Sequence, residues 1–238
     1  MNKSKLLLVV VLAMLVGGCG QMDSSLEEEA EKTPAKMDPT DLPQIDAFKS
    51  EHSRERMVST EPVAEGYYLM RSKIDAFTIG FPEEAVFMDN ASGVDGDHYE
   101  KMRFAYESEE ENRGYLVDFQ YNYSGYAERP DWILDNLRKR WDYEENWKEV
   151  EDEHGLTYFG SKVEDMDDYQ RYVVIGYKVS SQKEPQGMEF LYIASCVDKE
   201  SESCQIDLAE EEEYLLQWVK SIRFSGTRGD GDETNGDW

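Results

Sequence analysis

Hydrophobic positions follow three regimes along the 238 residues. From Leu6 to Leu15 they are nearly continuous, from Gly20 to about Glu65 they are sparse and without period, and from Tyr67 onward they alternate with polar ones. Alternation at period two marks a strand with one face buried. Met102, Phe104 and Tyr106 share one face of a strand beginning near Tyr99, with Lys101, Arg103 and Glu107 opposite. Tyr115, Val117, Phe119, Tyr121 and Tyr123 do the same against Asp118, Gln120 and Asn122, so the two runs are expected to pair as a hairpin. Another hairpin is expected from Tyr67–Arg71 and Phe77–Phe81, with Pro82 ending its second strand, and Gly93 and Gly96 place a loop over 89–97.

Two segments change to helical spacing. Pro130 suits a first helical turn, Asp131 suits the positive end of the dipole, and Ile133, Leu134, Leu137 and Trp141 form a stripe closed by Arg138, Lys139 and Arg140. Asp207 followed by Glu210 resembles a capping box and opens a second helix, whose Leu208, Leu215, Trp218, Val219 and Ile222 lie on or near one side. Between the helices, strands are expected over 156–161, 169–180 and 189–197. The pattern predicts an α+β domain of about 160 residues, a single antiparallel β-sheet with two helices packed on one face.

The apolar run at the start follows Lys3 and Lys5 and is too short to span a bilayer, which takes about 20 residues. It ends on Val16-Gly17-Gly18-Cys19, giving the charged start, greasy middle and small-residue close of a secretory signal. These residues resemble the lipobox of bacterial lipoproteins, with Val and Gly where Leu and Ala or Ser are commonest. The resemblance implies cleavage before Cys19 and acylation of that cysteine. An ordinary cleaved signal with a chance cysteine is the other reading. The expected organisation is a signal peptide over 1–18, a flexible acidic tether over 19–65, the globular domain over 66–225 and a disordered acidic tail over 226–238. The expected location is the extracytoplasmic face of the cell membrane, held by acyl chains at about 0.8 kcal/mol per buried methylene.

Charge narrows the partners. The chain has 25 basic against 52 acidic residues, and losing Lys3 and Lys5 with the signal removes two more cations. Nucleic acid needs clustered Lys and Arg, which this chain lacks, and the same field keeps the domain body off anionic lipid. An envelope partner, if bound through charge, would be cationic.

With Cys19 acylated, Cys196 and Cys204 remain as a pair in a compartment that tolerates disulfides. A bridge closing so short a loop contributes roughly 2 to 3 kcal/mol. A redox or metal pair is the alternative, but the spacing is not C-x-x-C and no histidine is near.

Catalytic motifs are sparse. Ser180-Ser181-Gln182-Lys183 satisfies S-x-x-K without its companion motifs and reads as a turn. His52, His98 and His154 are far apart, and the acidic clusters at 89–97, 164–168 and 230–237 do not fit a calcium loop, leaving only weak calcium binding at 89–97 to consider. No catalytic residue, metal or cofactor is assigned. Tyr121, Tyr123 and Tyr126 could stack on sugars or peptides, although alternation puts the first two in the core.

Phe77-Thr78-Ile79-Gly80-Phe81-Pro82 and Trp218-Val219-Lys220-Ser221-Ile222-Arg223-Phe224 resemble the opening strand and closing helix-to-strand of PsbP-like domains. The likeness informs the fold alone and carries over no ligand residue. Two functions remain in view: a non-enzymatic binding or accessory domain at the envelope, or an envelope hydrolase using paired carboxylates.

Overall fold

A computed structural model of the chain describes residues 33–110, 112–123, 125–166, 169–198 and 206–226. Two antiparallel sheets form. The smaller has the order β1-β2-β3-β12, from β1 (Met57–Ala64), β2 (Tyr67–Arg71), β3 (Phe77–Pro82) and β12 (Arg223–Phe224). The larger runs β4-β6-β7-β11-β10-β9-β8, with β5 also paired to β6. Its strands are β4 (Val86–Phe87), β5 (Gly93–Asp95), β6 (Tyr99–Ser108), β7 (Arg113–Tyr123), β8 (Lys148–Asp152), β9 (Gly155–Asp165), β10 (Gln170–Ser180) and β11 (Gln186–Ser195). Both expected hairpins are present, β2 with β3 and β6 with β7.

The expectation of an α+β domain with one sheet and both helices on one face is overturned: the fold is mostly β, in two sheets. Helix α3 (Pro130–Trp141) and helix α4 (Leu208–Lys220) lie on opposite faces of the large sheet. The cause is visible in β10, where Tyr172, Val173, Val174, Ile175 and Tyr177 are all buried. Successive side chains of a strand point to opposite faces, so a continuous apolar run needs cover on both. Tyr172 and Val174 join Leu215, Trp218 and Val219 of α4, while Val173, Ile175 and Tyr177 join Ile133, Leu134 and Leu137 of α3. The second sheet completes the α4 side. Phe77 of β3 packs on Tyr121 at 5.5 Å between ring centroids, and Phe81 on Phe104 at 5.0 Å. The face carrying α4 and the small sheet is the inner face, and the face carrying α3 the outer.

The two segments that carry the PsbP-like resemblance meet in space. Arg223 and Phe224 pair with Thr78 and Phe77, and Ser221 Oγ accepts the Gly80 N–H at 2.8 Å. Both helix starts agree with the sequence: Pro130 opens α3, and the Asp207 carboxylate accepts the N–H groups of Ala209 and Glu210.

Chain assigned by composition to the tether is folded from residue 33. Helices α1 (Asp46–Lys49) and α2 (Glu51–Arg54) precede β1, and Leu42, Ala47 and Phe48 enter the main core. Phe48 meets Tyr68 edge-on at 5.1 Å, and Ala47 N–H donates to the Glu83 carbonyl. Scattered Pro and charge hide these few apolar anchors from a periodicity test. Residues 1–32, the expected signal and Cys19 among them, lie outside the described residues, as do Cys204 and the chain beyond Gly226.

Candidate functional site

Burying a charge needs a counter-charge or several hydrogen bonds, and three buried carboxylates and one buried lysine knit the fold. Glu100 of β6 is sealed from solvent, paired with Arg56, and accepts from Ser72 Oγ at 2.5 Å and Lys73 N–H at 3.1 Å. The Arg56 guanidinium also lies over the Phe87 ring at 4.6 Å. Glu211 of α4 binds Arg113 of β7 through both oxygens, at 2.6 and 2.9 Å, and accepts from the Tyr192 hydroxyl. Burial works against the Arg113 charge, yet Glu211 holds its pKa above the usual arginine range, while burial beside Glu211 pushes Tyr192 up. Asp118 of β7 serves Arg103 and Lys101 of β6 on the outer face. Lys178, fully buried, donates to Asp152 at 2.8 Å and to the Val219 carbonyl at 3.2 Å, capping the last turn of α4 with a cation. These carboxylates are saturated.

A groove of about 410 Å³ opens where the first turns of α4 cross β8, β9 and β10. Leu208, Ala209 and Val163 form an apolar rim, and Lys148, Ser161, Tyr172 and Glu212 a polar floor. Glu212 is the node. Lys148 Nζ donates to both its oxygens at 2.9 and 2.7 Å, Ser161 Oγ donates at 2.9 Å, and the Tyr172 hydroxyl reaches it at 3.4 Å. Burial pushes the Tyr172 hydroxyl up to about 12, with Glu212 adding to the rise, so it remains a donor at neutral pH. The groove holds one carboxylate, so the pair that glycosidic hydrolysis requires is not assembled there. A second groove of about 310 Å³ is lined by Glu55, Arg56, Arg71, Ser72, Lys73 and Asp75.

One wall of the first groove is β8, the last strand of the large sheet. Lys148, Val150 and Asp152 point to the inner side, where Lys148 meets Glu212, Val150 packs on the main core and Asp152 meets Lys178. Glu149 and Glu151 take the other side by alternation. The tight return from β8 to β9 depends on Gly155, at φ 152°, where a Cβ would lie 2.0 Å from the Val179 carbonyl oxygen.

The residues singled out by sequence are dispersed. Cys196 is disulfide-bonded, and both other cysteines of the chain lie outside the described residues. Ser180 Oγ accepts the Gln182 N–H within the β10–β11 turn. His52 pairs with Asp89 at 3.2 Å, His98 lies 3.8 Å from Asp97, and His154 lies 3.0 Å from Glu153. Among the described residues no group of three or more His, Cys, Asp or Glu gathers as a metal site. Glu164 is held by Lys162 and Arg171. Tyr121 is in the core as expected, donating to Gln186 at 3.1 Å, but Tyr123 is partly exposed and donates to Glu184 at 2.7 Å. Tyr126 is exposed and stacks on Trp132 at 5.2 Å. Sequence reasoning missed Glu100, Glu212 and Lys178. Of these only Lys178 left a signal, as a lysine ending the apolar run from Tyr172.

Among the described residues no helix is long and apolar enough to cross a membrane. The family model described as "Putative lipoprotein YvcA" matches residues 43–223. A curated relative of the same description, from Bacillus subtilis (strain 168), is 30% identical over 228 residues, covering 90% of this chain and 93% of the relative. A crystal structure from Bacteroides thetaiotaomicron VPI-5482 aligns at a TM-score of 0.41 and 11% identity, covering 70% of this chain and 51% of that one.

Proposed function

The chain belongs to the YvcA family of bacterial lipoproteins, and from that premise we propose an extracytoplasmic binding domain, anchored by acyl groups on Cys19, that engages a cationic partner at the cell envelope and performs no covalent chemistry. Membership of a lipoprotein family brings lipid attachment with it. The lipobox residues Val16 to Cys19 supply the attachment point in this reading.

One observation supports binding over hydrolysis. The buried carboxylates Glu100, Asp118 and Glu211, and the groove carboxylate Glu212, are each held by a cation of the chain itself. A general acid or base needs a carboxyl free to exchange its proton inside a cleft. Among the remaining acids, Glu149 and Glu151 are exposed and form no ion pair among the described residues. They act as a field on an incoming charge. With 52 acidic against 25 basic residues overall, that field attracts cations.

The folding of residues 33–56 bears on reach. From Cys19 to Thr33 the chain can extend at most roughly 50 Å, about a third of what a tether ending at residue 65 would allow. The partner in this reading therefore lies close to the bilayer. Replacing Cys19 with Ser in the full chain is expected to move the protein from the membrane fraction to the medium. Retention of the variant on membranes at the level of the parent overturns the anchoring.

A further inference from the structure

A sheet edge with unmet backbone groups is a template for another strand, and proteins blunt most such edges. Here β1 carries Pro62 and its pairing with β2 slips register twice. Strand β12 has two residues, and β4 and β5 are short pieces separated by a turn of 3-10 helix. Strand β8 differs. Its five residues hold an unbroken register with β9, from Lys148 opposite Phe159 to Asp152 opposite Gly155, with neither proline nor bulge. It ends the large sheet, and among the described residues nothing hydrogen-bonds the outer backbone edge of Glu149 to Glu151.

Resting on the binding role proposed above, we propose that the β8 edge accepts an extended cationic segment of a partner protein as a further antiparallel strand of the large sheet. Main-chain hydrogen bonds would supply affinity, and alternate side chains the selectivity. Glu149 and Glu151 stand two residues apart on one face, so the matching segment presents Lys or Arg at alternate positions opposite them. Lys148 and Asp152 do not weaken that preference, because Glu212 and Lys178 already neutralise them. The same charges decide against a second copy of this chain. Antiparallel pairing of two β8 strands would set Glu149 and Glu151 against one another, and like charges directly opposite are destabilising.

The test uses the full chain in detergent and three ten-residue probes. One alternates lysine and threonine, one is the same peptide N-methylated at every second residue, and one alternates glutamate and threonine. Calorimetry measures binding at low salt, and hydrogen exchange follows the amides of residues 148–152. The lysine peptide is expected to bind and slow exchange over 148–152. The N-methylated form, with its charge intact and one hydrogen-bonding edge blocked, is expected to bind about 10-fold more weakly or worse, and the glutamate peptide not at all. A Glu149→Lys/Glu151→Lys double variant, checked for native circular dichroism, is expected to lose a similar factor for the lysine peptide. Equal binding of the plain and N-methylated lysine peptides, or binding without protection of 148–152, overturns the strand-edge site while leaving the cationic partner standing. If neither lysine peptide binds, the cationic partner falls as well.

Discussion

The two faces of the large sheet solve the same problem differently. On the inner face a continuous second layer, the small sheet together with α4, lies over strands β6 to β10, and the contact is aromatic. Trp218 sits fully buried at its centre, with ring centroids of Phe104 and Phe119 at 5.6 Å, Tyr115 and Tyr214 at 6.2 Å, and Phe81 at 6.4 Å. On the outer face α3 packs over β10. Beyond it the surface of β6 and β7 is a ladder of charge, with Lys101 and Arg103 on Asp118 and, nearer the helix, Arg140 on Glu189 at 3.3 Å. Cover decides composition. A strand layered on both sides reads as unbroken apolar sequence, and one layered on a single side alternates.

That comparison would break most visibly at Trp218. Trp218→Ala is expected to destabilise by about 3 to 5 kcal/mol in urea unfolding, as large aromatic truncations in packed cores do. Leu137→Ala, a smaller deletion under α3, is expected to reach about 2 kcal/mol, at the low end for a buried leucine, because a single surface helix can relax onto the gap. A loss at Leu137 as large as that at Trp218 would mean that the outer face is the more tightly packed for the atoms removed.

Ion pairs sharpen the same contrast. Glu100→Ala leaves Arg56 buried and unpaired, and a loss of about 3 to 5 kcal/mol is expected. Asp118→Ala strands Arg103 and Lys101, but their side chains are 29% and 28% exposed and can turn to water, so about 1 to 2 kcal/mol is expected. The smallest effect belongs to Glu189. Burial pushes its carboxyl above the usual carboxylate range, with Arg140 opposing. The native state therefore holds that proton more tightly than the unfolded state, so stability falls as pH rises from the ordinary carboxylate value through the raised one, and the full penalty applies above the raised value. Glu189→Gln is expected to remove this dependence, so that the midpoint of the variant no longer falls as pH rises from the ordinary carboxylate value. A variant less stable at pH 7 would place Glu189 among the stabilising pairs.

Strands and helices with a consistent period were legible in advance, and the β6–β7 hairpin and both long helices begin where their sequence signals stand. Strands β1 and β8 were not. Met57–Ala64 contains Pro62 and little alternation, and Lys148–Asp152 is four-fifths charged, so neither carries an apolar face long enough to read. Each is a strand because a neighbour offers it hydrogen bonds. The groove was equally hidden, since Lys148, Ser161, Tyr172 and Glu212 come from β8, β9, β10 and α4. Nothing in local sequence distinguishes Glu212 from Glu210 or Glu213.

Sequence by itself determined the lipoprotein character, the large excess of negative charge, and the elements whose hydrophobic period is strong enough to stand alone, because each of these is written in neighbouring residues. Only tertiary structure decided that the strands divide into two sheets, that the helices take opposite faces, and that residues 33–56 join the domain. Those outcomes rest on which apolar surfaces meet across distant parts of the chain, and on where each buried charge finds its partner. Contacts of that kind have no local signature.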